Sequence, residues 1–238
     1  GQIDLEGAGT VIEGDILNTG SFNVNKSIYL NGAVDNQGRF KIDAADMVFT
    51  TVFVNSGELA INKRVTFTQL TNEATGKISF AAKANSEPGA EGTTFVNLVN
   101  KGQIDVTVTG VLFTDGLSNS GTLSINTGAT GTRFKNMIDA DGKIIFVNSG
   151  TLNINAASGA GEYMDLQNSG TVNISADVSF GRVVNTSSIT VSNLGNLQFY
   201  GALTNNGTIA GAGDVDIYYS AAGNGSFAMV GESQETGL

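Results

Sequence analysis

Along almost the whole chain, apolar residues alternate with polar ones in short runs, as in Phe22-Asn-Val24, Phe40-Lys-Ile42, Ile104-Asp-Val106, Leu123-Ser-Ile125, Leu152-Asn-Ile154 and Val172-Asn-Ile174. A period of two belongs to a strand with one buried face. Phe, Ile, Val, Leu and Thr fill these runs and suit a pleated, half-buried surface. Glycines break every long window and no apolar stripe persists at helical spacing, so the pattern predicts strands and no helix.

The runs are phased by a repeat: Asn, any residue, Gly, any residue, then two apolar residues two apart. It begins at Asn18-Thr-Gly20, Asn36-Gln-Gly38, Asn55-Ser-Gly57, Asn100-Lys-Gly102, Asn119-Ser-Gly121, Asn148-Ser-Gly150, Asn168-Ser-Gly170 and Asn205-Asn-Gly207. Looser copies start at Gly1, Gly76, Asn185-Thr-Ser187 and Asn193-Leu-Gly195. The glycines at 1, 20, 38, 57 and 76 stand 19, 18, 19 and 19 residues apart by subtraction. Asn and Gly tolerate positive φ, so Asn-x-Gly is expected to turn the chain at a corner. Between corners there is room for a second strand, as in Ser27-Ile-Tyr-Leu30 or Val65-Thr-Phe-Thr68.

Such a unit is too short for a propeller blade of about forty residues. It fits one coil of a right-handed parallel β-solenoid (β-helix) with about 19–20 residues per coil, the hand following from the preference of parallel crossovers. An antiparallel sandwich competes, since it also places turns every 8–12 residues, but the constant step and phase favour the solenoid. Stacked corners would place asparagine on asparagine, and amide ladders could then bond along the stack. Asn18, Asn36, Asn55, Asn100, Asn119, Asn148, Asn168 and Asn205, with Gly20, Gly38, Gly57, Gly102, Gly121, Gly150, Gly170 and Gly207, are therefore read as a structural corner ladder. Residues 1–238 read as a single solenoid with irregular loop excursions near 81–94, which holds the lone proline Pro88, and near 127–141.

Composition narrows the function. The 238 residues carry 12 Lys+Arg against 22 Asp+Glu, a net charge of −10. A strongly acidic chain has no footprint for nucleic acid, whose binding needs clustered cations. The chain has no His and no Cys, which removes the Ser-His-Asp triad, the cysteine nucleophile and the usual zinc or haem ligand sets; no cofactor is expected. No apolar run reaches the eighteen or so residues of a membrane helix, and Gly1-Gln-Ile-Asp-Leu-Glu6 is not a signal peptide.

The Asn-x-Gly-x-Leu-x-Ile copies, such as Asn148 to Ile154 and the related Asn168 to Ile174, resemble repeats of filamentous-haemagglutinin-like exoproteins and autotransporter passenger regions. The resemblance covers most of residues 1–210 and is one of repeat style. It implies a β-helix at or beyond the bacterial cell surface, used for adhesion, matrix or display, with neither a secretion domain nor a membrane barrel recognisable in this chain. It transfers no binding residue.

Carboxylates are the remaining acid–base candidates. Asp139 and Asp141, and likewise Asp214 and Asp216, are two apart and could share a strand face, the arrangement a glycoside hydrolase needs; solvated outer faces are the plainer reading. Gly211-Ala-Gly-Asp214-Val-Asp216 faintly matches a calcium nonapeptide. Asn25, Asn173, Asn185, Asn206 and Asn224 begin Asn-x-Ser/Thr triplets, which are common in so Asn-rich a chain. Tyr29, Tyr200, Tyr218 and Tyr219 could fill core or corner as readily as stack on sugars. Neither Gly1 to Thr10 nor Ala221 to Leu238 reads as an amphipathic cap, so coils are expected to pair end to end with another copy or with more of a longer chain. The expectation is a secreted or surface structural and adhesive protein rather than an enzyme, associating with itself and with surface glycans or host proteins, without membrane insertion. Alternatives are a glycan-binding fibre segment using the two excursions, and a β-helical glycan hydrolase or lyase.

Overall fold

Each alternating run becomes a strand, and each strand lies in parallel on the equivalent strand of the next coil. The computed structural model describes residues 1–82, 89–157 and 163–229. Among them there is no helix, and every pairing between strands is parallel. One sheet holds twelve strands in chain order, from Gln2–Leu5 and Ser21–Val24 to Thr208–Gly211 and Ser226–Met229. A second, of fourteen strands, begins at Ile16–Asn18 and Val34–Asn36. A small two-stranded ladder joins Val11–Ile12 to Tyr29–Leu30.

The second sheet covers two sides of the body. Long strands such as Met47–Asn55 and Val65–Asn72 run along both, with a register shift between Phe67 and Gln69 where they bend. Later the two sides separate: Val178–Asn185 pairs with Asn196–Phe199 through one half and with Ala202–Asn205 through the other. The coil is thus three-sided, and the chain forms a parallel β-solenoid.

Register stacks like on like, so the core is built from columns. Phe22 lies on Phe40 and Phe40 on Leu59; Ile154 lies on Ile174 and Ile174 on Val191. A phenylalanine spine runs Phe49, Phe67, Phe95, Phe113, Phe134 and Phe146, with successive ring centroids 4.8, 5.7, 5.4, 5.2 and 5.2 Å apart. Offset-stacked rings at these separations are favourable beyond their burial.

The two irregular stretches rejoin the coil sooner than the sequence suggests. Ala90 and Thr93 are fully buried, Ala90 N–H bonds the Ala81 carbonyl at 2.9 Å, and Thr94 opens a strand. Residues 83–88, Pro88 included, lie outside the described residues. Arg133–Lys135 is a strand paired with Leu112 to Thr114, so 127–135 belongs to the body. The true excursion there is a small hairpin closed by the antiparallel bridge Ile138 to Ile144 and entered and left through Met137 and Ile145. Volume and burial decided both: Ala90, Ala129 and Phe134 fill core columns that a projecting loop would leave empty. The run from Asn193 is not a corner copy either, because Asn196–Phe199 pairs in the second sheet.

Candidate functional site

The corner motif forms a continuous buried polar column. Side-chain amides donate Nδ2 to Oδ1 from Asn18 to Asn36, then to Asn55, Asn72, Asn100, Asn119, Asn148, Asn168, Asn185 and Asn205, at 2.7–2.9 Å. Each Nδ2 also reaches the carbonyl that opens a strand of the following coil, as Asn119 does to Thr151 at 2.9 Å. Several Oδ1 atoms take a second proton from their own corner, as Asn168 does from Gly170 N–H at 3.2 Å. These residues are all buried, Asn18 being the most exposed at 6%. Buried amides need this saturation, because an unpaired one loses its full hydration.

The eight predicted asparagines are all in the column, and two that the motif did not supply join it. Asn185 sits in a copy whose glycine is Ser187, and Asn72 is separated from Gly76 by two extra residues. A better signal precedes the corner: an apolar residue stands two before every ladder asparagine (Ile16, Val34, Phe53, Leu70, Leu98, Leu117, Phe146, Leu166, Val183, Leu203). The last position inward on that strand is the ladder position.

The reason for the glycines differs from the one expected. Neither the asparagines nor the glycines of the motif have positive φ. What excludes a side chain is crowding: a Cβ on Gly38 would overlap the Gly20 carbonyl, and one on Gly121 the Gly102 carbonyl. The corner backbones are in direct contact along the axis. Ser187 shows the consequence, for the strand-opening bond beside it, Ser188 N–H to the Gly170 carbonyl, is stretched to 3.3 Å where the equivalent bond from Thr171 to Gly150 is 2.8 Å.

The outer faces carry the rest of the chemistry. Asp139 is a turn residue: its Oδ1 accepts the N–H groups of Asp141 and Lys143 at 3.0 and 2.8 Å. Asp214 and Asp216 share an outward face of the second sheet, in register with Asn196 and Gln198. No group of three or more carboxylates that could hold a metal occurs among the described residues. Tyr163, Tyr200 and Tyr218 are outside the core, 39–50% exposed, and form a stacked row with centroids 4.6 Å apart at both steps. Partial desolvation by its neighbours and the Asp216 carboxylate raise the Tyr218 phenol above its usual range, while hydrogen bonds from Asn23 and Gln2 hold Asp4 below the usual carboxylate range. A cleft of about 430 Å³ opens beside Tyr29, Leu30, Asp46, Met47 and Val48, where the small ladder is not continued by Met47–Asn55.

Comparison with protein-family models, with curated protein sequences and with solved structures found no match.

Proposed function

We propose that this chain is a structural and adhesive β-solenoid acting outside the cell, as part of a surface adhesin, matrix or filament, and that it assembles by pairing coil onto coil. The observation that carries the reading is the buried asparagine column, which repeats one set of bonds through successive coils in fixed register. A column of this kind rewards extension: each added coil gains backbone pairing and a further amide bond, and nearest-neighbour interfaces sum along a solenoid. The repeat style shared with secreted adhesins supports the location. The outer faces, polar and net acidic, keep such a rod soluble while presenting repeated groups to a partner.

The test joins assembly to attachment. Negative-stain micrographs and light scattering of the full chain should give rods of roughly 55 Å and integral multiples of that length. Beads coated with the chain should be retained on cells or on extracellular matrix. A particle that stays at 24.5 kDa at every concentration, on beads that nothing retains, would remove this reading.

A further inference from the structure

Among the described residues, the tyrosine row gathers large amphipathic side chains on the outer surface. Phe180, Phe199 and Ile217 are in register, so the residues that follow them, Gly181, Tyr200 and Tyr218, form one row across three coils. Gly181 leaves its place open. A Cβ there would lie 2.6 Å from Asp165 Oδ1 and 3.4 Å from Tyr163 Cβ. Tyr163 occupies the gap, and its ring continues the row onto Tyr200 at 4.6 Å and 33°. Tyr200 and Tyr218 are nearly parallel, at 14°. Backbone bonds from Tyr200 N–H to the Phe180 carbonyl and from Tyr218 N–H to the Phe199 carbonyl set two of the rings, Tyr163 joins them through its ring contact, and the three remain 50%, 39% and 47% exposed.

The phenol groups are loosely held. Tyr200 Oη donates to Gln198 Oε1 at 3.3 Å and Tyr218 Oη to Asp216 Oδ2 at 3.4 Å, well beyond the usual O–H···O distance of about 2.7–2.8 Å. Ser179 Oγ reaches Gln198 at 3.4 Å. A ligand hydroxyl could therefore replace these contacts at small cost. Beside the row lies a second one of planar or hydroxylic groups, Ser179, Gln198 and Asp216, in register on neighbouring coils. No aliphatic side chain stands in that second row, so what it offers a ligand is hydrogen-bonding groups.

Charge narrows the ligand further. Asp165, Asp177, Asp214 and Asp216 belong to these strands or their approaches, and no Lys or Arg follows Arg182 in the chain. Arg182 itself is engaged, donating to the Gly142 carbonyl at 2.8 Å and facing Asp165 at 3.9 Å. A polyanionic ligand would meet Asp214 and Asp216, for which no cation stands in their own strand or after it.

We infer that the Tyr163–Tyr200–Tyr218 row, with Gln198 and Asp216 at its side, is a binding surface for a non-anionic glycan, uncharged or bearing amino groups. A pyranose offers a C–H face to the exposed ring surface and hydroxyls to the phenol, amide and carboxylate groups. Tyrosine is suited to this because it is large, amphipathic and loses little conformational freedom on binding. The inference rests on the adhesive reading and gives it a ligand class. It places recognition on a sheet face rather than in the excursions near 81–94 and 127–141.

The test is titration calorimetry and affinity electrophoresis of the full chain with cellohexaose, chitohexaose, its de-acetylated hexamer and a heparin hexasaccharide. One or more of the first three should bind, the sulfated probe should not, and Tyr200→Ala should weaken binding about tenfold or more with an unchanged melting temperature. Tyr200→Phe should retain most of the affinity. Asp216→Asn should weaken the de-acetylated hexamer selectively if that is the probe bound. Absence of binding by all three non-anionic probes, preference for heparin, or affinity indifferent to Tyr200→Ala would overturn the inference. Bead retention separates this failure from that of the parent reading: retention that persists unchanged in Tyr200→Ala leaves the adhesive role standing without this site.

Discussion

The asparagine column can be tested at its centre. Asn119 is fully buried; its Nδ2 donates to Asn148 Oδ1 at 2.7 Å and to the Thr151 carbonyl at 2.9 Å, and its Oδ1 accepts from Asn100 at 2.7 Å. Asn119→Ala removes all three bonds. Asn100 keeps its bond to the Thr122 carbonyl but loses the acceptor of its other amide hydrogen, and Asn148 Oδ1 loses its donor, both in a dry setting; the part-buried Thr151 carbonyl also loses a donor. With about 1–3 kcal/mol for each buried group so stranded, and a small void besides, the loss should be about 3–5 kcal/mol. The control is in the same molecule: Asn153 accepts from Asn173 at 2.8 Å and donates to Ser124 at 3.1 Å, but the two asparagines are half-buried, so water can reach the amides. Asn153→Ala should cost less than about 1 kcal/mol. Urea unfolding followed by far-ultraviolet circular dichroism measures both, the inner variant shifting the midpoint down by roughly 1 M or more for a slope of about 3 kcal/mol/M. Equal losses in the two variants would refute the argument that burial, not bond count, gives the column its weight.

Four further outcomes follow from the structure. Gly121→Ala, whose new Cβ would overlap the Gly102 carbonyl, should cost about 3 kcal/mol or more in urea, whereas Ser187→Gly, which relieves the stretched Ser188–Gly170 bond at some entropic cost, should stay within about 1 kcal/mol of the parent. Phe95→Ala opens the phenylalanine spine between Phe67 and Phe113 and should lower stability by about 3–5 kcal/mol, measured by the same unfolding curves. In an ultraviolet pH titration, Tyr218→Phe should remove a phenol that ionises later than an ordinary tyrosine, because its anion is disfavoured by partial desolvation and by Asp216. An unchanged alkaline limb would contradict that placement of Tyr218. For Asp4 the sign is opposite: its depressed carboxyl pKa makes any stabilisation present at neutral pH and lost as pH falls through the acid range.

The sequence by itself determined the coil. Alternation gave the strands, and the return of Asn and Gly at a nearly constant step favoured parallel stacking, since a solenoid places equivalent residues of successive coils one above another. It also placed eight of the ladder asparagines, because a corner repeated in register must align its side chains. It could not give the role of glycine, which is set by contact between successive backbones rather than by the dihedral preference of one residue. It missed Asn72 because the corner there carries two extra residues, and insertions at a corner leave the inward strand position untouched. It drew the excursions too wide, since burial of Ala90, Ala129 and Phe134 depends on volumes filled from neighbouring coils. The tyrosine row was out of reach for the same reason: Tyr163 meets Tyr200 only because Gly181 vacates a place between them, a relation between three coils that no spacing along one strand records.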